Sequence, residues 1–131
     1  MATNYQRGYA TEYRIMKHFK ENGIYGLRSP ASKGMFDVIG IDETGVYLIQ
    51  AKRTKKKKLT PSMYRDEILK MQQWIRSLSA PIPPFLHFQW YIWQDRKGFT
   101  ILEVTESNVY TVEGQEIEWQ DHLELQGKDI K

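Results

Sequence analysis

Four polar residues interrupt apolar segments of this sequence in a pattern that suits metal-assisted phosphate chemistry. The first, Glu12, shares the helical spacing of Met16 and Phe19, so it falls on the face of a predicted helix that should be buried. A buried carboxylate costs free energy unless a cation meets it. Alternatively, Glu12 lies at the edge of this apolar stripe and reaches water, and the helix alone does not decide between the two.

The other three residues lie in two predicted strands. Asp37 stands within the apolar segment 36–39, where aspartate is disfavoured, unless it only caps a loop at the start of the strand. Gln50 and Lys52 are two residues apart, so both side chains share one face with aliphatic residues earlier in their strand. An apolar face that turns polar and then cationic indicates the mouth of a cleft. The alternative is a strand that simply runs out into solvent at Lys52.

A hairpin could bring these side chains together. Asp37 would supply the anionic oxygen that Mg²⁺ prefers, and the Gln50 amide and the Ala51 carbonyl would add neutral oxygens. Lys52 could then orient or deprotonate a water or hold the scissile phosphate, and Glu12 could bind a second ion or a metal-bound water. The pattern predicts a phosphodiesterase site.

Apolar periodicity and turn signals predict the elements that must position this site. Their order, α-β-β-β-α-β-β, is typical of a single α/β domain over 1–131 with a central mixed sheet flanked by helices. The predicted elements are a helix closed by Asn22-Gly23, strands 24–28, 36–41 and 46–53, a helix capped by Thr60 and ended by Pro81, strands 85–93 and 99–104, and a hairpin within 109–119.

Composition excludes several classes of protein. The 131 residues contain no cysteine, which excludes a disulfide scaffold, a thiol nucleophile and a cysteine metal site. A hydrophobic content of 40% excludes a wholly disordered chain. With no apolar run long enough to span a bilayer and no signal peptide, we expect a cytoplasmic, intracellular protein, encoded by a cell or by a virus.

The motif Asp37…Gln50-Ala51-Lys52 resembles that of the PD-(D/E)xK nucleases, and residues 7–53 are similar to the archaeal-type Holliday junction resolvases. The resemblance is carried by the segments 7–12, 28–34, 36–39 and 50–53. It implies a restriction-endonuclease-like core and a homodimer that nicks four-way DNA junctions in pairs with Mg²⁺, for which Mn²⁺ can substitute, and without a small-molecule cofactor. The implied catalytic residues are Glu12, Ser32, Asp37, Gln50 and Lys52, and the metal ligands are Glu12, Asp37, Gln50 and Ala51.

Two residues depart from the family pattern. Phe36 replaces a proline, and Gln50 replaces an acid, which should weaken metal affinity by removing one negative charge. Gln-x-Lys also resembles the signature of Mrr-type nucleases. Two alternatives therefore stay open: an Mrr-like or other nuclease that acts on duplex DNA, and a DNA-binding module whose site has decayed at Gln50.

Charge divides the sequence into two parts. Residues 1–58 carry 12 Lys and Arg against 5 Asp and Glu, whereas residues 59–131 carry 7 against 11. We assign catalysis and phosphate contacts to the basic part. The second helix and the aromatic strand 85–93 of the acidic part are assigned to a dimer interface, unless that strand is the buried centre of one subunit. The predicted phosphate contacts are Arg7, Arg28, Lys33, Arg53 and Lys55, Lys56, Lys57 and Lys58; the alternative for the lysine run is a solvated loop.

Overall fold

The computed structural model describes residues 4–29 and 34–111, which form a mixed α/β domain. Two helices and six strands account for most of these residues, and a 3-10 turn precedes the second helix. In chain order they are α1 (Asn4–Glu21), β1 (Tyr25–Arg28), β2 (Val38–Asp42), β3 (Gly45–Thr54), the 3-10 turn Pro61–Tyr64, α2 (Arg65–Arg76), β4 (Leu86–Gln94), β5 (Gly98–Val104) and β6 (Val109–Thr111).

The six strands form one sheet in which they follow one another in chain order. Only β3 and β4 are parallel, and the other neighbouring pairs are antiparallel. A parallel pair needs a long crossover, which α2 supplies. The predicted mixed sheet and its flanking helices are therefore confirmed.

The two helices pack in separate hydrophobic clusters because side chains alternate between the faces of each strand. Ile15 and Phe19 of α1 pack with Val38, Ile49 and Tyr91. The second cluster joins α2 to the alternate residues of β4 and to β5. Its buried members include Ile68, Met71, Ile75, Phe88, Trp90, Ile92, Leu102 and Val104.

Strand β4 lies inside the sheet between β3 and β5. Trp90 and Ile92 are buried on one face and Tyr91 on the other. The aromatic strand is thus the buried centre of the subunit, the alternative left open by the sequence. Residues 88–92 of this strand are buried within one chain, whereas Leu86, His87 and Trp93 are half-buried. None of the described helices is long and apolar enough to cross a membrane.

Several element boundaries differ from the predicted ones. Strand β2 begins at Val38, so Asp37 lies one residue before it, and α2 ends at Arg76, well before Pro81. Tyr9, one turn before Glu12 on α1, is 43% exposed, and its ring stacks on that of Tyr13. Strand β6 starts where the last hairpin was predicted, and residues 112–119 of that hairpin lie outside the described residues.

Candidate active site

Asp37 is at the centre of the candidate site, at the entry to β2. Its main chain is fixed on both sides: the Asp37 N–H donates to the Ile49 carbonyl at 2.8 Å, and the Ser29 N–H donates to the Asp37 carbonyl at 2.8 Å. The Oδ2 atom accepts hydrogen bonds from the Ala51 N–H at 2.9 Å and from Gln50 Nε2 at 3.1 Å. A buried carboxylate is therefore held against the strand that carries the Gln-Ala-Lys motif.

The electrostatics of Asp37 bring two more predicted residues into the same site. Burial raises the pKa of the Asp37 carboxyl, and the negative charge of Glu12 raises it further. The hydrogen bond from Ala51 and the charge of Lys52 oppose this rise in the pKa. Glu12 and Lys52 thus both lie within electrostatic reach of Asp37, although the three residues come from a helix, a strand and a loop.

Glu12 is only 6% exposed, so it does not reach water as one interpretation of the sequence suggested. Its Oε1 accepts a hydrogen bond from Arg28 Nε at 2.9 Å. The Arg28 guanidinium also lies over the Tyr9 ring, 4.2 Å from its centroid. Arg28, which the sequence assigned to a DNA phosphate, thus also compensates a buried carboxylate of the site.

Lys52 projects from β3 on the opposite face from Ile49, toward α2. Its Nζ forms an ion pair with Glu67 and lies 5.7 Å from the centroid of the Trp90 ring. Glu67 was missed by the sequence analysis. Acidic residues are common in the first turn of a helix, where they favour the helix dipole, so nothing in the sequence distinguishes this one.

The donor atoms at Asp37 suit a hard divalent cation. Two carboxylates in electrostatic contact are relieved by a positive charge, and the Gln50 side chain carries an amide oxygen as well as its donor group. Within the described ranges, no three His, Cys, Asp or Glu side chains are grouped to hold a metal. A cation here therefore depends on neutral oxygens, for which Gln50 and Ala51 are the candidates.

The predicted phosphate contacts differ in how far they are engaged with other groups. Arg53 donates two hydrogen bonds to Asp95, at 3.1 and 2.8 Å, and these bonds lower the pKa of the Asp95 carboxyl. Lys55–Lys58 are exposed. The main chain of this lysine run is nevertheless fixed, because the buried Gln94 donates to the carbonyls of Lys56 and Lys57 at 3.2 and 3.0 Å.

Gln94 is a second residue that the sequence analysis missed. It terminates β4 and is 1% exposed, and its Oε1 accepts no hydrogen bond from the described part of the chain. Of the other predicted site residues, Ser32 and Lys33 lie outside the described residues. Arg7 lies within α1, but its side chain is not among those described.

Comparison with known proteins identifies one family. Residues 3–129 match the family model described as archaeal Holliday junction resolvase (Hjc). Among solved structures, the chain is similar to Hjc of Archaeoglobus fulgidus, a Holliday junction resolvase from an archaeal hyperthermophile. The TM-score is 0.53 at 19% identity, over 92% of this chain and 91% of that one. No match is found among curated proteins.

Proposed function

Because the chain belongs to the family of archaeal Holliday junction resolvases, and is thus a metal-dependent endonuclease selective for branched DNA, we propose that the residues around Asp37 form its active site. The observation that carries this proposal is the buried Asp37 carboxylate, held by Gln50 and Ala51 beside the charges of Glu12 and Lys52. The restriction-endonuclease-like fold predicted from the sequence is confirmed by the similarity to the Archaeoglobus fulgidus structure.

We propose Mg²⁺ as the cation, with Mn²⁺ as a substitute, held by Glu12, Asp37, Gln50 and the Ala51 carbonyl. When bound, such a cation supplies an activated water and neutralises charge on the phosphate that is attacked. Lys52 donates hydrogen bonds to an oxygen of the scissile phosphate and orients the attacking water. Its ion pair with Glu67 holds the ammonium group in place before DNA arrives.

Gln50 changes the balance of charge at this site. An acid at position 50 would face Asp37 as a second negative charge, whereas the Gln50 amide donates a hydrogen bond to it. Glutamine in place of an acid at position 50 therefore stabilises the metal-free protein, but it leaves one negative charge fewer to bind the cation. We therefore propose an active enzyme with a weakened metal site rather than a decayed one.

DNA contacts and assembly complete the proposal. Arg7, Arg28, Lys33, Arg53 and Lys55–Lys58 remain candidate phosphate contacts, and Ser32 remains a candidate catalytic residue. Two paired nicks need two active sites, so we propose a homodimer. Since β4 is buried, the exposed apolar residues of and beside α2 are the candidate interface: Leu69, Trp74 and Leu78, each 36% exposed. We place its activity inside the cell, where DNA junctions arise.

One cleavage assay tests this proposal against its alternatives. The protein is incubated with a four-way junction, linear duplex and single-stranded DNA, with Mg²⁺, Mn²⁺ or EDTA. Symmetric paired nicks in the junction alone, lost in EDTA, are the expected result. Equal cutting of plain duplex would favour the Mrr-like alternative, and tight junction binding without any cleavage would favour the decayed module.

Variants in the same assay test the site. Asp37→Asn and Lys52→Ala should abolish cleavage and leave junction affinity nearly intact, whereas Lys20→Ala, at an exposed lysine of α1, should change neither. Loss of junction binding in both site variants would show that these residues are structural. Sedimentation that finds only monomer at micromolar concentration would count against the homodimer.

A further inference from the structure

A basic cleft of about 490 Å³ lies between α1 and the turn that joins β4 to β5. Its lining includes four cations that the sequence analysis did not single out, and one acid, Glu21. Burial lowers the pKa of His18, which also lines the cleft, so this residue adds little positive charge at neutral pH. The four cations are Arg14, Lys17, Arg96 and Lys97.

Two of these four cations contact neighbouring groups. The Arg14 guanidinium lies over the Trp93 ring, 4.6 Å from its centroid, and Lys97 Nζ donates to the Lys57 carbonyl. The hydrogen bonds from Arg53 make the largest contribution to the lowered pKa of Asp95, and the charges of Arg53, Arg14 and Lys55 lower it further. The cleft therefore adjoins the exposed lysine run through Lys97, and the Asp95 carboxylate lies within electrostatic reach of both.

Arg96 occupies a backbone conformation that its own side chain does not favour. Its φ is 68°, in the left-handed region, at the third position of the turn closed by the hydrogen bond from the Lys97 N–H to the Gln94 carbonyl. Glycine or asparagine is preferred at a turn position with positive φ. A strained cation at the mouth of a basic cleft points to a role for its charge rather than for the turn.

The register of the sheet places the cleft beside β3, the strand that carries Lys52. Trp93 in its lining is the β4 partner of Arg53, and Arg53 directly follows Lys52 on β3. Alternation along β3 sends the Arg53 side chain to the α1 face and the Lys52 side chain to the α2 face. The cleft and Lys52 therefore lie on opposite faces of the sheet, and a bound DNA duplex reaches both only by passing around the end of β3 and β4.

We propose that the cleft binds the phosphate backbone of a junction arm outside the strand that is cut, an inference that rests on the proposed function. Arginine and lysine side chains supply most of the contacts that proteins make with DNA backbone phosphates, and such contacts position the duplex without reading its sequence. Arg14 and Arg96 are the principal contacts, and Trp93 holds Arg14 in position.

The decisive variant is Arg96→Asn, because it separates binding from folding. Asparagine suits the positive φ, so thermal stability should be equal or higher, whereas junction affinity should fall by about five- to tenfold at 0.1 M salt. A plot of log affinity against log salt concentration has a negative slope, and its magnitude should be smaller by about 0.9 for this variant. For the double variant Arg14→Gln, Arg96→Asn, it should be smaller by about 1.8. Cleavage of saturating junction should be unchanged.

Lys20→Gln is the matched control, since it also removes one exposed charge but lies outside the cleft. Equal loss of affinity in Lys20→Gln and Arg96→Asn would overturn the proposal, as would Arg96→Asn binding like the wild type. Stabilisation of the DNA-free protein by millimolar ATP or inorganic phosphate, lost in Arg96→Asn, would assign the cleft to a small phosphate ligand. If the wild type neither binds nor cuts the junction, the proposed function fails as well.

Discussion

Removing the charge of Arg28 should destabilise the protein by uncovering the buried carboxylate of Glu12. The Glu12 side chain is 8% exposed and its Oε1 is 2.9 Å from Arg28 Nε, whereas the Arg28 side chain is 30% exposed. Breaking a buried ion pair by removing one partner costs about 3–5 kcal/mol. Since solvent screens Arg28 partially, we expect Arg28→Met to lower the free energy of unfolding by about 2–3 kcal/mol.

A double-mutant cycle separates this penalty from lost packing. Glu12→Gln removes the buried charge, keeps a hydrogen-bond acceptor for Arg28, and should cost about 1 kcal/mol or less. Once the charge of Glu12 is gone, Arg28→Met should cost little more. The double variant should therefore be more stable than Arg28→Met alone, with a coupling energy of about 2 kcal/mol.

Urea denaturation without DNA or metal measures these free energies, and a melting temperature lower by about 6–9 °C would accompany the loss in Arg28→Met. Arg65→Met, at an exposed position of α2, is the control and should change stability by less than about 0.5 kcal/mol. If Arg28→Met proves as mild as this control, Glu12 is solvated in solution and the ion pair does not hold the site together.

Four further substitutions test other parts of the structure. Burial raises the pKa of the Asp37 carboxyl above its ordinary value of 3.8, so the free energy of unfolding falls as the pH rises above 3.8. Asp37→Asn should remove this fall, as measured by urea denaturation at pH 4 and pH 7, and should also abolish cleavage. Gln50→Glu should destabilise the metal-free protein by about 1–2 kcal/mol and tighten Mn²⁺ binding by about tenfold in calorimetry; unchanged binding would show that position 50 is not a ligand. Glu67→Gln releases Lys52 and should lower kcat without changing junction affinity, and because Glu67 is 51% exposed, stability should change by less than about 0.5 kcal/mol. Gly45→Ala would place a Cβ 2.2 Å from a main-chain oxygen at a φ of 155°, and should cost about 3 kcal/mol in the same denaturation assay.

The sequence determined the order of the elements and most of the residues now found around Asp37. Apolar residues recur every 3.6 residues in a helix and every 2 residues in a strand, and both patterns are local. The helices, the hairpin of β2 and β3, and the shared face of Gln50 and Lys52 could therefore be predicted from neighbouring residues. The sequence also identified Glu12 as an anomaly, although it could not distinguish a buried carboxylate from one that reaches water.

Tertiary structure decided the partners of these residues. Arg28 pairs with Glu12, Glu67 with Lys52, and Gln94 with the main chain of the lysine run, across 16, 15 and up to 38 positions of sequence. Such contacts depend on how α1 and α2 cross the two faces of the sheet, which no local pattern records. The same packing of helices on the sheet buries most of strand β4 within one subunit. It also brings Arg14 and Arg96 together at one cleft, although neither residue lies in a sequence pattern that predicts DNA binding.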